Sequence, residues 1–224
     1  PIGLFKNTET RPLIVAFMGG TGVGKSSLLN RLAGKAIATA GIERPTSKEV
    51  TLYHHESLVL KELPAQLPLR RIKLAQHADL NHQNLIWIDM PDFDSTEQKN
   101  QHLVLEWLPF IDVLIYVVSP ERYRDNKAWR ILLAEGARHA WVFVLNQWDK
   151  GFTEQYEDFK HQLQQADFSN PLVFKTDCSG AVKDDFEQLQ QTLIALATKH
   201  TLQQLESRAT FIRQSEIKQI LQSA

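Results

Sequence analysis

The chain has 224 residues, 43% of them hydrophobic and 23% charged, with a formal net charge of −1. This is the composition of one large globular domain, or one domain with a helical extension, and it excludes disordered and fibrous classes. The near-neutral balance lacks the electrostatic footprint of a general nucleic-acid binder, so no nucleic-acid partner is expected.

Leu13 to Met18 is an apolar run ending in a glycine-rich turn, which predicts a buried strand. Lys25 to Leu32 follows with Leu28, Leu29 and Leu32 on one helical face, and Gly34 stops it. Residues 36–48 carry Gly41, Pro45, Thr46 and Ser47 and predict a loop. Glu49 to His55 alternates as a strand. The segment from Ser57 to Gln83, with Pro64 and Pro68, predicts an elaborated loop or an extra hairpin. Strands follow at Leu85–Ile88, Val113–Val118, Trp141–Leu145 and Leu172–Lys175. Helical patterns lie between and after them, at Lys99–Leu108, Lys127–Glu135, Glu154–Ala166 and Asp184–Lys199. The last pattern runs on towards Gln222 through Leu202, Leu205, Ala209, Ile212 and Ile217.

Apolar strands alternating with amphipathic helices predict an α/β fold: a mostly parallel sheet of about six strands with helices on both faces. Residues 1–200 form the expected domain, with an elaborated segment at 56–84. Residues 201–224 form a helical extension leading towards a further domain. The chain opens on Pro1 without an initiator Met and reads as an excised piece. Its longest apolar stretch, Leu108 to Val118, is interrupted by Pro109 and Asp112 and falls short of the roughly 20 residues of a spanning helix. Any membrane association is therefore expected through flanking segments. Cys178 is the only cysteine, so no intrachain disulfide can form and a reducing, cytoplasmic setting is expected.

The chemistry-bearing motif is Gly19-Gly20-Thr21-Gly22-Val23-Gly24-Lys25-Ser26, a full P-loop between a strand and a helix. Its glycines let successive backbone N–H groups turn towards phosphate oxygens, and the helix adds its positive dipole end. Lys25 is expected at the β- and γ-phosphates, Ser26 on Mg²⁺, and Ser27 beside them.

With this motif in place the chain resembles the P-loop GTPases, whose other sequence blocks occur in order. Trp87-Ile88-Asp89-Met90-Pro91-Asp92 resembles the Asp-x-x-Gly block, which implies Mg²⁺ for Asp89. Asn146-Gln147-Trp148-Asp149 resembles Asn-Lys-x-Asp, which implies guanine reading by Asp149 and a tie from Asn146 to the P-loop. Gln147 departs from the pattern, and Trp148 is expected to replace part of the lost packing on the base. Thr176-Asp177-Cys178 sits where the final block would lie, with backbone N–H groups of Asp177 and Cys178 facing the guanine oxygen. Arg44-Pro45-Thr46-Ser47 resembles the switch I stretch of the Era-like and dynamin-like branches. It assigns Thr46 to Mg²⁺ and the γ-phosphate, with Thr51 and Thr39 as alternatives.

The resemblance implies a three-layer G domain that binds GTP or GDP with Mg²⁺ and hydrolyses GTP. Phe93 stands where Ras-like enzymes place a glutamine, so slow intrinsic turnover is expected, with a nucleotide-dependent homodimer or an activating partner completing the site. Gly22 stands where some relatives hold a monovalent cation, which disfavours a cation-dependent mechanism. Asp92 replaces the switch II glycine and places a carboxylate near the γ-phosphate. Phe93, Asp92 and Gln147 keep open a nucleotide-binding module with negligible turnover, and the altered guanine block an ATP-specific NTPase. Outside these blocks, Arg122-Tyr123-Arg124 reads as a surface turn or an arginine finger. His54, His55, His77 and His82 read as surface histidines.

Overall fold

The computed structural model describes residues 11–35, 50–59, 67–68, 72–92, 98–124, 139–180 and 182–223. Among them run seven strands, β1 (Leu13–Met18), β2 (Val50–His55), β3 (Ile72–His77), β4 (Leu85–Asp89), β5 (Val113–Val118), β6 (Ala140–Asn146) and β7 (Val173–Thr176). They form one sheet in the order β3-β2-β4-β1-β5-β6-β7. The helices are α1 (Lys25–Ala33), α2 (Gln98–Trp107), α3 (Thr153–Gln165) and α4 (Phe186–Ser223). The helix expected at Lys127–Glu135 and the loop expected at 36–48 lie outside the described residues.

The apolar strand runs divide by parity into two cores, as side chains alternating across a sheet must. Ile14, Ala16 and Met18 of β1, with Ile86 and Ile88 of β4 and Phe143 and Leu145 of β6, meet Val104 and Trp107 of α2 and Phe159 and Leu163 of α3. Leu13, Val15 and Phe17, with Trp87, Val142 and Val144, meet Leu28, Leu29 and Leu32 of α1 and Leu189, Leu193 and Ala197 of α4. The result is the expected three layers, helix on sheet on helix. Strands β4, β1, β5, β6 and β7 are mutually parallel, and β2 alone pairs antiparallel, with β4. At the opposite end of the sheet Asp112 closes the start of β1. It accepts both Arg11 guanidinium nitrogens at 2.6 Å and the Ile14 amide at 2.9 Å.

Two expectations are corrected. The segment before β4 contains no hairpin among the described residues. It adds a seventh strand, β3, which runs parallel to β2 over Val50↔Ile72 to His55↔His77. The four histidines are not on the surface either: His54, His55, His77 and His82 are 0%, 5%, 7% and 3% exposed. His54 turns to one face of β2, while His55 joins His77, His82, Tyr53 and Trp87 in an aromatic stack on the other. Loss of solvent, followed by the neighbouring His55 and His82, lowers the pKa of His77 to about 4. Among the described residues no three or more His, Cys, Asp or Glu side chains gather where they could hold a metal ion.

α4 is continuous over 38 residues, so the expected boundary at 200 falls inside one helix. No helix among the described residues is long and apolar enough to cross a membrane.

Candidate functional site

The C-terminal ends of the parallel strands deliver the sequence blocks to one edge of the sheet, where open α/β sheets bind ligands. β1 leads into the P-loop, β4 ends on Asp89, β5 leads to Ser119–Arg124, β6 ends on Asn146, and β7 leads to Asp177 and Cys178.

The P-loop is held by its own carbonyls. Lys25 Nζ donates to Gly19 O at 2.9 Å and Gly20 O at 3.0 Å. Arg122 Nη1 donates to Thr21 O at 2.8 Å, and Gln147 Nε2 to Gly22 O at 3.0 Å. Asn146 Nδ2 donates to Val23 O at 2.9 Å and Gly24 O at 3.3 Å. Side chains from the end of β6 and from the loops after β5 and β6 thus hold every carbonyl from Thr21 to Gly24. In a trans peptide the next residue's N–H points the opposite way, so the amides of Gly22, Val23, Gly24 and Lys25 turn away from those loops. That is a set of aligned donors at the start of α1, the arrangement that takes an anion. Gly24 caps this helix at φ 86°, and a Cβ there would lie 2.3 Å from Asn146 Nδ2. Only glycine permits both that backbone and so close an amide. Ser27 is half-buried in the first turn of α1.

Ser26 Oγ donates to Asp89 Oδ2 at 3.1 Å. Asp89 is 4% exposed, and its Oδ1 has no partner among the described residues. Burial raises the Asp89 pKa, against the opposing pull of Lys25 and the Ser26 hydroxyl. A buried carboxylate oxygen without a donor, beside a serine hydroxyl, fits a hard divalent cation. Lys25 is itself buried and pairs with the Asp92 carboxylate.

The guanine-side residues converge. Asn146 Oδ1 accepts the Thr176 hydroxyl at 2.9 Å and the Cys178 thiol at 3.5 Å, so one amide joins the P-loop to the loop after β7. Cys178 is exposed as a residue but turns its Sγ inward, and desolvation there pushes the thiol up to about 11. Asp149 lies exposed in a short 3₁₀ turn, Trp148–Lys150. Gln147, at φ 58°, does not lie idle in the place of the family's lysine; its amide braces Gly22.

Three expectations change here. The Asp177 N–H, expected to face a guanine oxygen, here donates to Asp184 Oδ2 at 2.8 Å. The Asp177 carboxylate closes its own loop, accepting Ser179 N at 2.8 Å and Val182 N at 3.1 Å. Trp148 packs against Tyr156 and under Lys175 Nζ, so its ring is engaged inside the protein. Arg122 is not a bare surface turn; it grips the P-loop, and the turn that carries it is fixed by Gln155 Nε2 on Pro120 O at 3.0 Å. Thr51 belongs to β2, paired opposite Asp89. Thr46, Thr39, Phe93 and Asp94 lie outside the described residues.

The model of a family described as 50S ribosome-binding GTPase matches residues 14–147, more than half of the chain. The chain belongs to this GTPase family. No curated protein matches it in sequence. Among solved structures it is similar to Era from Aquifex aeolicus bound to GDP and AlF4⁻, with 15% identity and a TM-score of 0.58, covering 81% of this chain and 56% of that one. It is also similar to a member of an oligomerised bacterial dynamin pair, with 13% identity and a TM-score of 0.61, covering 98% and 44%. A probable GTP-binding protein, EngB, is matched at 18% identity and a TM-score of 0.51, covering 81% and 98%. At these identities the likeness is one of fold, the P-loop GTPase fold. The chain spans about half the length of the Era and dynamin chains it matches.

Proposed function

We propose that the chain binds GTP and GDP with Mg²⁺ and hydrolyses GTP slowly, as the switch domain of a larger protein. The observation that carries this reading is the bracing of the P-loop by Asn146 and Gln147, the residues of the guanine block, which joins phosphate and base sites into one pocket edge. Ser26 and Asp89, with Thr46 from switch I, are the residues that would hold Mg²⁺, which supplies charge screening for the phosphates when bound. Lys25 and the turned amides of Gly22 to Lys25 hold the phosphates. Lys25 also stabilises charge on the transferring phosphoryl group. Asp149, exposed beside Cys178, reads the guanine N1–H and amine through its carboxylate. Phe93 cannot orient water, so a second protomer or an activating partner completes the site. The setting proposed is cytoplasmic.

Competition binding with GTP, ATP and XTP tests the base assignment. Asp149→Asn is expected to move preference from GTP towards XTP, and an unchanged preference refutes the guanine reading. A second reading, nucleotide binding with negligible turnover, is favoured by the Asp92 carboxylate on Lys25. Single-turnover hydrolysis at rising protein concentration, with and without K⁺, separates the two.

A further inference from the structure

We infer that Asp92 is a built-in competitor for the phosphate on Lys25, and that its carboxylate sets how tightly this site takes a nucleoside phosphate. The inference rests on the reading of the site as a phosphate binder and assigns to it a residue that the binding blocks do not. A lysine ammonium has three N–H donors and no more. Those of Lys25 meet three acceptors: Gly19 O at 2.9 Å, Gly20 O at 3.0 Å and Asp92 Oδ1. The first two are backbone atoms of a loop whose following carbonyls are held by Arg122, Gln147 and Asn146. Gly19 already lies so near β5 that a Cβ on it would be 2.2 Å from Val117 O. Lys25 is 6% exposed in its side chain and Asp92 15%, so water does little to screen the pair or to satisfy the ammonium in the carboxylate's place. A phosphate oxygen therefore reaches Lys25 Nζ by taking the place of the Asp92 carboxylate.

The replacement is an exchange of one anion for another. Asp92 neutralises Lys25 before the phosphate arrives, and once displaced it stands as a like charge beside the incoming phosphate. Both effects weaken phosphate binding, and both vanish when the carboxylate becomes an amide of the same shape. An amide oxygen still accepts from Lys25, so Asp92→Asn preserves the local packing and removes only the charge. The competition also links phosphate occupancy to the chain beyond Asp92, which leads into α2 at Gln98.

The test is equilibrium titration of the wild-type chain, Asp92→Asn and Asp92→Ala with fluorescent GDP and a non-hydrolysable GTP analogue, with and without Mg²⁺. Both variants are expected to bind each nucleotide about tenfold more tightly, the change that follows from relieving one partly buried charge pair of about 1.4 kcal/mol. Unchanged or weaker binding by both variants overturns the inference; weakening confined to the Mg²⁺ series overturns it in favour of Asp92 as a metal ligand. In a Lys25→Ala background the gain from Asp92→Asn is expected to shrink, and a full tenfold gain there also overturns competition at Lys25. Inorganic pyrophosphate carries the same comparison without base reading. Tightening of pyrophosphate with no guanine preference in the nucleotide series would refute the guanine reading and leave the competitor role standing.

Discussion

Gly24→Ala tests whether the P-loop is preorganised by the guanine block. Gly24 sits at φ 86° and ψ 27°, where a Cβ costs about 1–2 kcal/mol. The added methyl would also meet Asn146 Nδ2 at 2.3 Å, so the amide must swing away and abandon Val23 O and Gly24 O. Two lost hydrogen bonds from a side chain only 1% exposed cost about 1 kcal/mol each. The sum is about 3–4 kcal/mol, a large share of the roughly 5–15 kcal/mol that holds a domain together. Urea denaturation reads the stability loss, and calorimetric GDP titration is expected to show at least a tenfold loss of affinity. The decisive control is Asn146→Ala in the same background. With the amide gone the methyl has room, so the double variant should lose clearly less than the sum of the singles. A stability loss under about 1 kcal/mol with unaltered GDP affinity, or strict additivity, would refute the bracing argument.

Arg122→Ala and Gln147→Ala each release one P-loop carbonyl at an exposed contact. Each should weaken nucleotide binding several-fold by titration and leave the unfolding midpoint almost unmoved. Asp112→Ala strips the Ile14 amide and both Arg11 nitrogens of their acceptor and should cost about 2 kcal/mol in thermal or chemical unfolding; Asp112→Asn should cost less, because one oxygen remains. The folded pKa of His77, about 4, lies below its ordinary 6.5, so the unfolded chain takes the proton first. Its contribution is full above about pH 6.5, falls between there and about pH 4, and is flat below. At about 1.4 kcal/mol per unit the loss is at most about 3 kcal/mol, reduced by solvent at the sheet edge. His77→Gln should flatten that limb of a stability–pH curve, and an unchanged limb would refute the assignment.

The phosphate and base blocks were legible because their chemistry is local: glycine spacing, a strand before and a helix after. The Asn146 tie to the P-loop was expected and is observed. What escaped was settled by distant partners. Arg122 carries no local sign of Thr21, 101 positions earlier. β3 is half-exposed, with only Ile72, Ala75 and His77 turned inward, so its residues lack the apolar run or strict alternation that marks a strand. Its parallel direction depends on where the chain returns, not on the strand's own residues. The histidines of β2 looked like surface residues because histidine usually is one. All six β2 residues are nevertheless buried, since β3 and β4 flank the strand. The Asp177 amide bonds Asp184, a partner visible only once the loop after β7 is folded.

At the 1.5 Å rise of an α-helix, the 38 residues of α4 measure about 57 Å. Its base is clamped beside the nucleotide edge. Arg31 of α1 bonds Asp177 O at 2.7 Å, pairs with Asp184 and lies over the Phe186 ring at 3.9 Å. Leu189, Leu193 and Ala197 hold the first turns to the core, so only the stretch beyond Ala197, about 39 Å long, can turn angle into distance: a bend of ten degrees there carries the far end through about 7 Å. A bend of that size beyond the core would thus arrive at the other end of α4 as a stroke on the scale of a whole side chain.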